Sequence, residues 1–340
     1  MNRALALTLA LWLCTPAFGA DETILPKQSP AKAPSTRVKT IAVPQQPPRP
    51  AFEPSVANDP NAPFAAYQLG FYLDAINLAQ QRAEKNNDAR AMTLLGELYA
   101  EGLGVARDQK KSLDWYQRAE KAGDTHAIFA VGMAHLQGVG VTRSKEEAAK
   151  YFRRAADKGH AHAAYNLALL YLEGQVFPQN FAEAAKLMRM AADKDVPDAQ
   201  HALAVFYQEG KGVAKDPAEA VKWLRRAARL DHVPATFDLA VALFTGLGVE
   251  KDEASGAQAM RRAALKGNPV AQNRYARMLN AGRGVEKNTT EAMAWHLLAR
   301  LQDISDPMLD ATFGNLTDAE KKRAEGILRA WLQSKAAPNT

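Results

Sequence analysis

Cysteine is almost missing from this chain: Cys14 stands alone, and it falls within the first 20 residues. A disulfide framework, a thiolate zinc cluster and a cysteine nucleophile are therefore excluded from the rest. A long apolar run is missing too. The stretch Ala4 to Phe18 is shorter than the ~20 residues a membrane-spanning helix needs. It follows Asn2-Arg3 and ends at the small residues Gly19 and Ala20, so residues 1–20 read as a secretory signal peptide. The remainder is then expected to be periplasmic or secreted, with no stable membrane insertion after cleavage. Trp12-Leu13 stand where a lipoprotein needs small residues, so lipidation of Cys14 is not expected.

Neither charge sign dominates strongly: 43 Lys and Arg against 37 Asp and Glu leave +6. The basic residues are spread along the chain, as in Lys150-Tyr151-Phe152-Arg153-Arg154 and Lys222-Trp223-Leu224-Arg225-Arg226. That spacing marks a solvated helix face whose apolar side chains turn inward. Together with export it argues against nucleic acid as a partner. An anionic envelope polymer is the electrostatic partner left open.

Proline is scarce except in one place. Residues 21–63 hold ten of the 18 prolines and show no hydrophobic periodicity. Such a segment buries too little apolar surface to offset chain entropy and reads as a disordered linker.

What the chain does have is a repeat. From Asp88 to Asp303 it runs through six units of 36 residues without insertion or deletion. Ala91, Ala127, Ala163, Ala199, Ala235 and Ala271 hold the fourth position of each unit, and Gly102, Gly138, Gly174, Gly210, Gly246 and Gly282 the fifteenth. A fixed period of this size means a solenoid in which each unit packs on its neighbours.

Each unit reads as two helices, here A and B. Helix A starts near the second position, where Pro197 and Pro269 suit a first turn and Asn268 a cap. Its inward stripe is the fourth, eighth and eleventh positions, for example Ala163, Leu167 and Leu170. The ninth position is always Gly or Ala, which lets two helices approach closely. The recurring Gly ends helix A in the left-handed conformation. A second Gly follows two residues later in every unit but the third, where Gln175-Val176-Phe177 predicts a different loop. Helix B starts at Asp108, Ser144, Asn180, Asp216, Asp252 and Asn288. In four units a Glu three residues on predicts a capping box: Glu147, Glu183, Glu219 and Glu291. Trp115, Tyr151, Trp223 and Trp295 are expected to fill the space between helices.

The pattern A-x-x-x-L-G/A-x-x-Y-x-x-G-x-G-V-x-x-x-D…A-x-x-W-x-x-x-A-A resembles the Sel1-like repeat, a relative of the tetratricopeptide repeat. Ala199, Leu203, Ala204, Tyr207, Gly210, Gly212, Val213, Asp216, Ala220, Trp223, Ala227 and Ala228 carry the match. The resemblance implies an all-α, right-handed α/α superhelix with helix A lining the concave side. It also implies envelope assembly, regulation of a membrane signalling protein, or host contact. The ends read as caps: residues 64–87 as an abbreviated unit with a turn at Gly70, and residues 304–335 as capping helices begun by Thr317 and Glu320, with a disordered tail at 336–340.

No enzyme signal survives scrutiny. The Gly-x-Gly turns follow helices rather than strands, so they do not cradle phosphate. His160-x-His162 is the best metal candidate, with His126 in the equivalent of His162 one repeat earlier and placed to stack on it. No cysteine or carboxylate recurs around them at ligand spacing, so neither metal nor cofactor is expected. No nucleophile–base pair is present, and no catalytic residue is assigned.

Binding is better supported. The third, sixth, tenth and thirteenth positions of helix A face away from helix B. The sixth column contributes Phe129, Tyr165, His201 and Phe237 between the polar Thr93 and Asn273; the tenth contributes Met133, Leu169, Val205 and Val241 between Glu97 and Arg277. Two readings stand: these side chains line an open groove, or they pack between repeats. Arg90, His126, His162, Asn166 and Asp238 are the polar neighbours expected to fix a bound segment's register. The function expected is a protein–protein interaction scaffold of the cell envelope, with a peptidoglycan- or polysaccharide-associated factor, glycan-binding or hydrolytic, as the alternative.

Overall fold

The computed structural model describes residues 59–336, and in them the expected repeat appears as sixteen helices with no strand. The signal peptide, the linker as far as residue 58 and residues 337–340 lie outside the described residues. Helices α1 (Ala62–Gln68) and α2 (Tyr72–Asn86) form the N-terminal cap. The A helices of the six units are α3 (Ala89–Glu101), α5 (Thr125–Gln137), α7 (Ala161–Glu173), α9 (Pro197–Glu209), α11 (Val233–Thr245) and α13 (Pro269–Ala281). The B helices are α4 (Gln109–Lys121), α6 (Lys145–Asp157), α8 (Phe181–Ala192), α10 (Pro217–Arg229), α12 (Glu253–Leu265) and α14 (Thr289–Arg300). Helices α15 (Pro307–Gly314) and α16 (Asp318–Ala336) follow. Contacts run mainly between helices adjacent in sequence, and the buried apolar residues form three clusters along the array rather than one core. That is a solenoid's packing.

The start of α1 corrects the expected linker boundary. Ala62 and Pro63 are helical and buried, because proline suits a first turn and both side chains find cover. At the other end α16 continues through Ala336, where a tail was expected to begin.

Helix A is built as its stripe predicts: Ala163, Leu167 and Leu170 are buried. At the ninth position a Cβ on Gly96 would meet the Tyr116 ring at 2.6 Å, so the helices touch where the sequence removed the side chain. Trp115, Trp223 and Trp295 are buried between helices as expected. Tyr151 is not. It is half-buried and stacks on His135 at 5.5 Å, while Phe152, one residue later, fills the interior.

The loops explain the second glycine. In each A–B turn the fifteenth-position glycine has positive φ, and in five repeats the following N–H bonds back to the eleventh carbonyl, as Leu103 N does to Leu98 O. The next glycine presses on the start of the preceding helix B: a Cβ on Gly212 would stand 2.1 Å from the Phe181 carbonyl oxygen. In the third repeat the back-bond from Gln175 is not formed, and Phe177 stacks on Tyr171 at 4.6 Å instead.

The four capping boxes are half made. Glu147, Glu183, Glu219 and Glu291 each donate their backbone N–H to the cap side chain. The caps' own N–H groups bond instead to the twelfth carbonyl of helix A, Ser144 N to His135 O among them. The tight A–B turn satisfies that donor first. Thr317 and Glu320 do form the reciprocal box.

Candidate functional site

The first position of every repeat but the fourth, where Val196 stands, caps helix A through its side chain, and histidine can serve there. Asp88, Asp124 and Asn268 accept backbone N–H bonds through side-chain oxygens. His160 and His232 do the same with Nδ1, accepting from Ala163 N and Ala235 N, each at 3.1 Å. His160 is thus a helix cap, and the ring it meets is His126, edge-on at 5.0 Å between centroids, rather than His126 meeting His162. Because Nδ1 accepts, the neutral ring carries its proton on Nε2, which lies 3.3 Å from His126 Nδ1. Among the described residues no group of three or more histidine, cysteine or acidic side chains is arranged to hold a metal.

Burial, with His126 and His162 close by, lowers the His160 pKa to about 4. Asp198 accepts from His232 Nε2 at 3.2 Å, a bond that holds its carboxyl below the usual range. His201 and Asp238 pair across the same repeat boundary at 2.7 Å.

The sixth and tenth columns answer the question of groove or packing with some of each. Phe129, Met133, Tyr165, Leu169, Phe237 and Val241 are all half-buried, packed on the core by one side. Phe129 stacks on His160 at 4.5 Å. Burial pushes the Tyr165 hydroxyl up to about 12, with Asp198 adding to the shift. The polar ends of the sixth column are covered instead: Thr93 donates to the Ala89 carbonyl, and Asn273 to Asp306 at 2.9 Å beneath the C-terminal cap. Arg90 sits over the Phe64 ring of α1, and the Asn166 amide donates to the His162 carbonyl, so both side chains are engaged locally.

Two cavities open along the A helices. One, of about 430 Å³, brings together His126, Phe129, Met133 and His162 with Glu97, Tyr116, Gln137 and His160. The other, of about 320 Å³, is lined by Val241 with Phe244, Met260, Arg274, Arg277, Arg283 and Met308. Tyr165, Asn166, Leu169, His201, Phe237 and Asp238 belong to neither and lie on α7, α9 and α11. The seventh position, already represented by Asn166 and Asp238, also supplies Ala130 to the first cavity and Arg274 to the second, and these two were missed in the sequence although a 3–7–10–14 stripe has helical spacing.

Comparison with known proteins agrees with this architecture. The family model described as Sel1 repeat matches residues 89–124, 125–160, 161–196, 197–232, 233–268 and 269–303. The chain is similar to a solved Sel1 repeat protein from Oxalobacter formigenes, 27% identical, with a TM-score of 0.60 over 72% of this chain and 97% of that one. It also resembles in fold a protective antigen of uropathogenic Escherichia coli displaying an SLR fold, 24% identical, with a TM-score of 0.50 over 80% of this chain and 68% of that one. A search of curated proteins finds no match. Six consecutive matches, in the same frame as the helix pairs, cover well over half of the sequence, and the chain belongs to the Sel1 repeat family.

Proposed function

We propose that this chain is a non-enzymatic scaffold of the bacterial cell envelope that holds a segment of a partner protein in the groove lined by its A helices. One observation carries the reading. A row of aromatic and aliphatic side chains, Phe129, Met133, Tyr165, Leu169, Phe237 and Val241, packs on the core by one side and leaves the other side exposed along the A helices. His126, His162 and Asp238 supply hydrogen-bonding groups beside that row, as recognition of a backbone needs. Sel1 repeat proteins generally serve as protein-interaction scaffolds, which supports the same reading. Export rests on the basic-then-apolar start of the sequence. Among the described residues no helix is long and apolar enough to cross a membrane.

The test is capture from an envelope extract, followed by purification of the captured protein and titration against wild type and a Phe129→Ala, Tyr165→Ala, Phe237→Ala variant. Losing three central apolar contacts should weaken binding by ~30-fold or more, with circular dichroism showing the helices intact. A partner held equally well by both proteins would refute groove binding. Retention of glycan alone would replace the scaffold with an envelope-glycan factor.

A further inference from the structure

The two cavities are the same place in the repeat, four units apart. Each lies between the A helices of adjacent repeats, above the B helix of the first of them. Glu97 in the first cavity corresponds to Val241 in the second, Tyr116 to Met260, Ala130 to Arg274, and Met133 to Arg277. Equivalent backbone thus carries different chemistry at the two ends.

In the first cavity Glu97 makes no hydrogen bond and no ion pair within the described residues. Although exposed by area, its carboxyl is crowded by protein, and that desolvation raises its pKa; His126 beside it opposes the rise, and Asp124 and Glu101 add to it. An acid held there without a cation is a site for one. In the second cavity Arg277 is bound to Asp306 and Arg283 to Glu253, each at 2.5 Å. Arg274 has no carboxylate partner among the described residues; its guanidinium lies 4.9 Å from the Phe237 ring centroid, beside an apolar wall of Phe244 and Met260.

Between the cavities the acids on this face already have partners. Asp198 pairs with His232, Asp238 with His201, Glu173 with Lys145 and Glu209 with Lys211. From the first cavity to the second the tenth column runs Met133, Leu169, Val205 and Val241, all apolar. Among the charged side chains that line the two cavities, those left without an ion-pair partner are Glu97 in the first and Arg274 in the second, and their opposite signs fix which way round a ligand lies.

Resting on the groove reading above, we propose that the groove is polar end to end. It takes an extended partner segment with a basic side chain at Glu97, an acidic group at Arg274, and apolar residues on Leu169 and Val205 between.

The probe is a set of long linear peptides selected from a random phage-displayed library on the full chain and titrated by fluorescence anisotropy. Selected peptides should carry Lys or Arg toward one end and Asp or Glu toward the other, around an apolar stretch. Glu97→Lys and Arg274→Glu should each weaken such a peptide by about tenfold or more. Reversing the matching charge in the peptide should restore it. Peptides that bind both reversal variants as wild type, or that swapped charges fail to rescue, overturn the polarity. If those same peptides are lost by the Phe129, Tyr165 and Phe237 alanine variant, groove binding survives without it. Peptides indifferent to that variant as well, or a library yielding none, overturn both.

Discussion

His160 Nε2 lies 3.3 Å from His126 Nδ1 in the preceding repeat, while His160 Nδ1 accepts the N–H that caps α7. The ring can do both only when neutral. Protonation would put a hydrogen on Nδ1, facing the Ala163 N–H, and a positive charge among His126, His162 and Lys194, which only Asp124 offsets.

A pH dependence follows. Unfolded, His160 titrates near the ordinary value of 6.5; folded, it is lowered to about 4. Between those values the unfolded chain binds more protons, so stability is lost as pH drops through that window. Its contribution is whole above pH 6.5 and gone below about 4. His160→Asn keeps a side-chain cap, as Asn268 does in the sixth repeat, and removes the titration. Thermal melts from pH 7 to 4 should show a steeper loss for wild type than for the variant. Equal slopes would mean that the cap tolerates the imidazolium.

The loop glycines allow strain to be separated from collision. Gly123 and Gly212 both have positive φ, 92° and 68°, but a Cβ on Gly123 meets open space, whereas one on Gly212 stands 2.1 Å from the Phe181 oxygen. Gly123→Ala should cost about 1 kcal/mol, the left-handed penalty alone. Gly212→Ala should cost about 1–3 kcal/mol more, because one backbone must move off another. Urea unfolding of the two variants measures the difference. Equal losses would show that the loop yields freely, as the third repeat does with Val176 at this position.

These examples also show where the sequence could be read and where it could not. The helix pairs and the B-helix caps follow from local rules stated six times over, once every 36 residues, and the odd third loop stands out as the one departure from them. The role of His160 was legible only by analogy within its column, beside Asp88, Asp124 and Asn268. Tyr151 and Phe152 are adjacent aromatics, and which one turns inward depends on the packing of Gly132, a contact between helices that spacing along one helix does not contain. Arg274 escaped notice because its column is otherwise small or neutral in the first cavity's repeats; only the cavity it lines marks it out.

One buried carboxylate ties the C-terminal cap to the last A helix. Asp306, 1% exposed, caps α15 through Met308 N and Leu309 N and receives Asn273 and Arg277 from the last A helix. Burial opposes its ionisation, yet those bonds, with Arg277 foremost, hold its pKa below the ordinary value. Asp306→Ala removes the cap and leaves the buried Asn273 amide without its acceptor, at a cost of about 2–3 kcal/mol. Since each unit of a solenoid leans on its neighbours, the loss should begin locally. Hydrogen exchange should speed first in α15 and α16 and then in α13 and α14, with α5 to α8 close to wild type. Acid should act in the same sense: the carboxylate's contribution is whole above its unfolded pKa and is lost as pH falls through the lowered folded value. Uniform acceleration along the chain would show instead that the six repeats unfold as one unit, and that the cap is merely part of it.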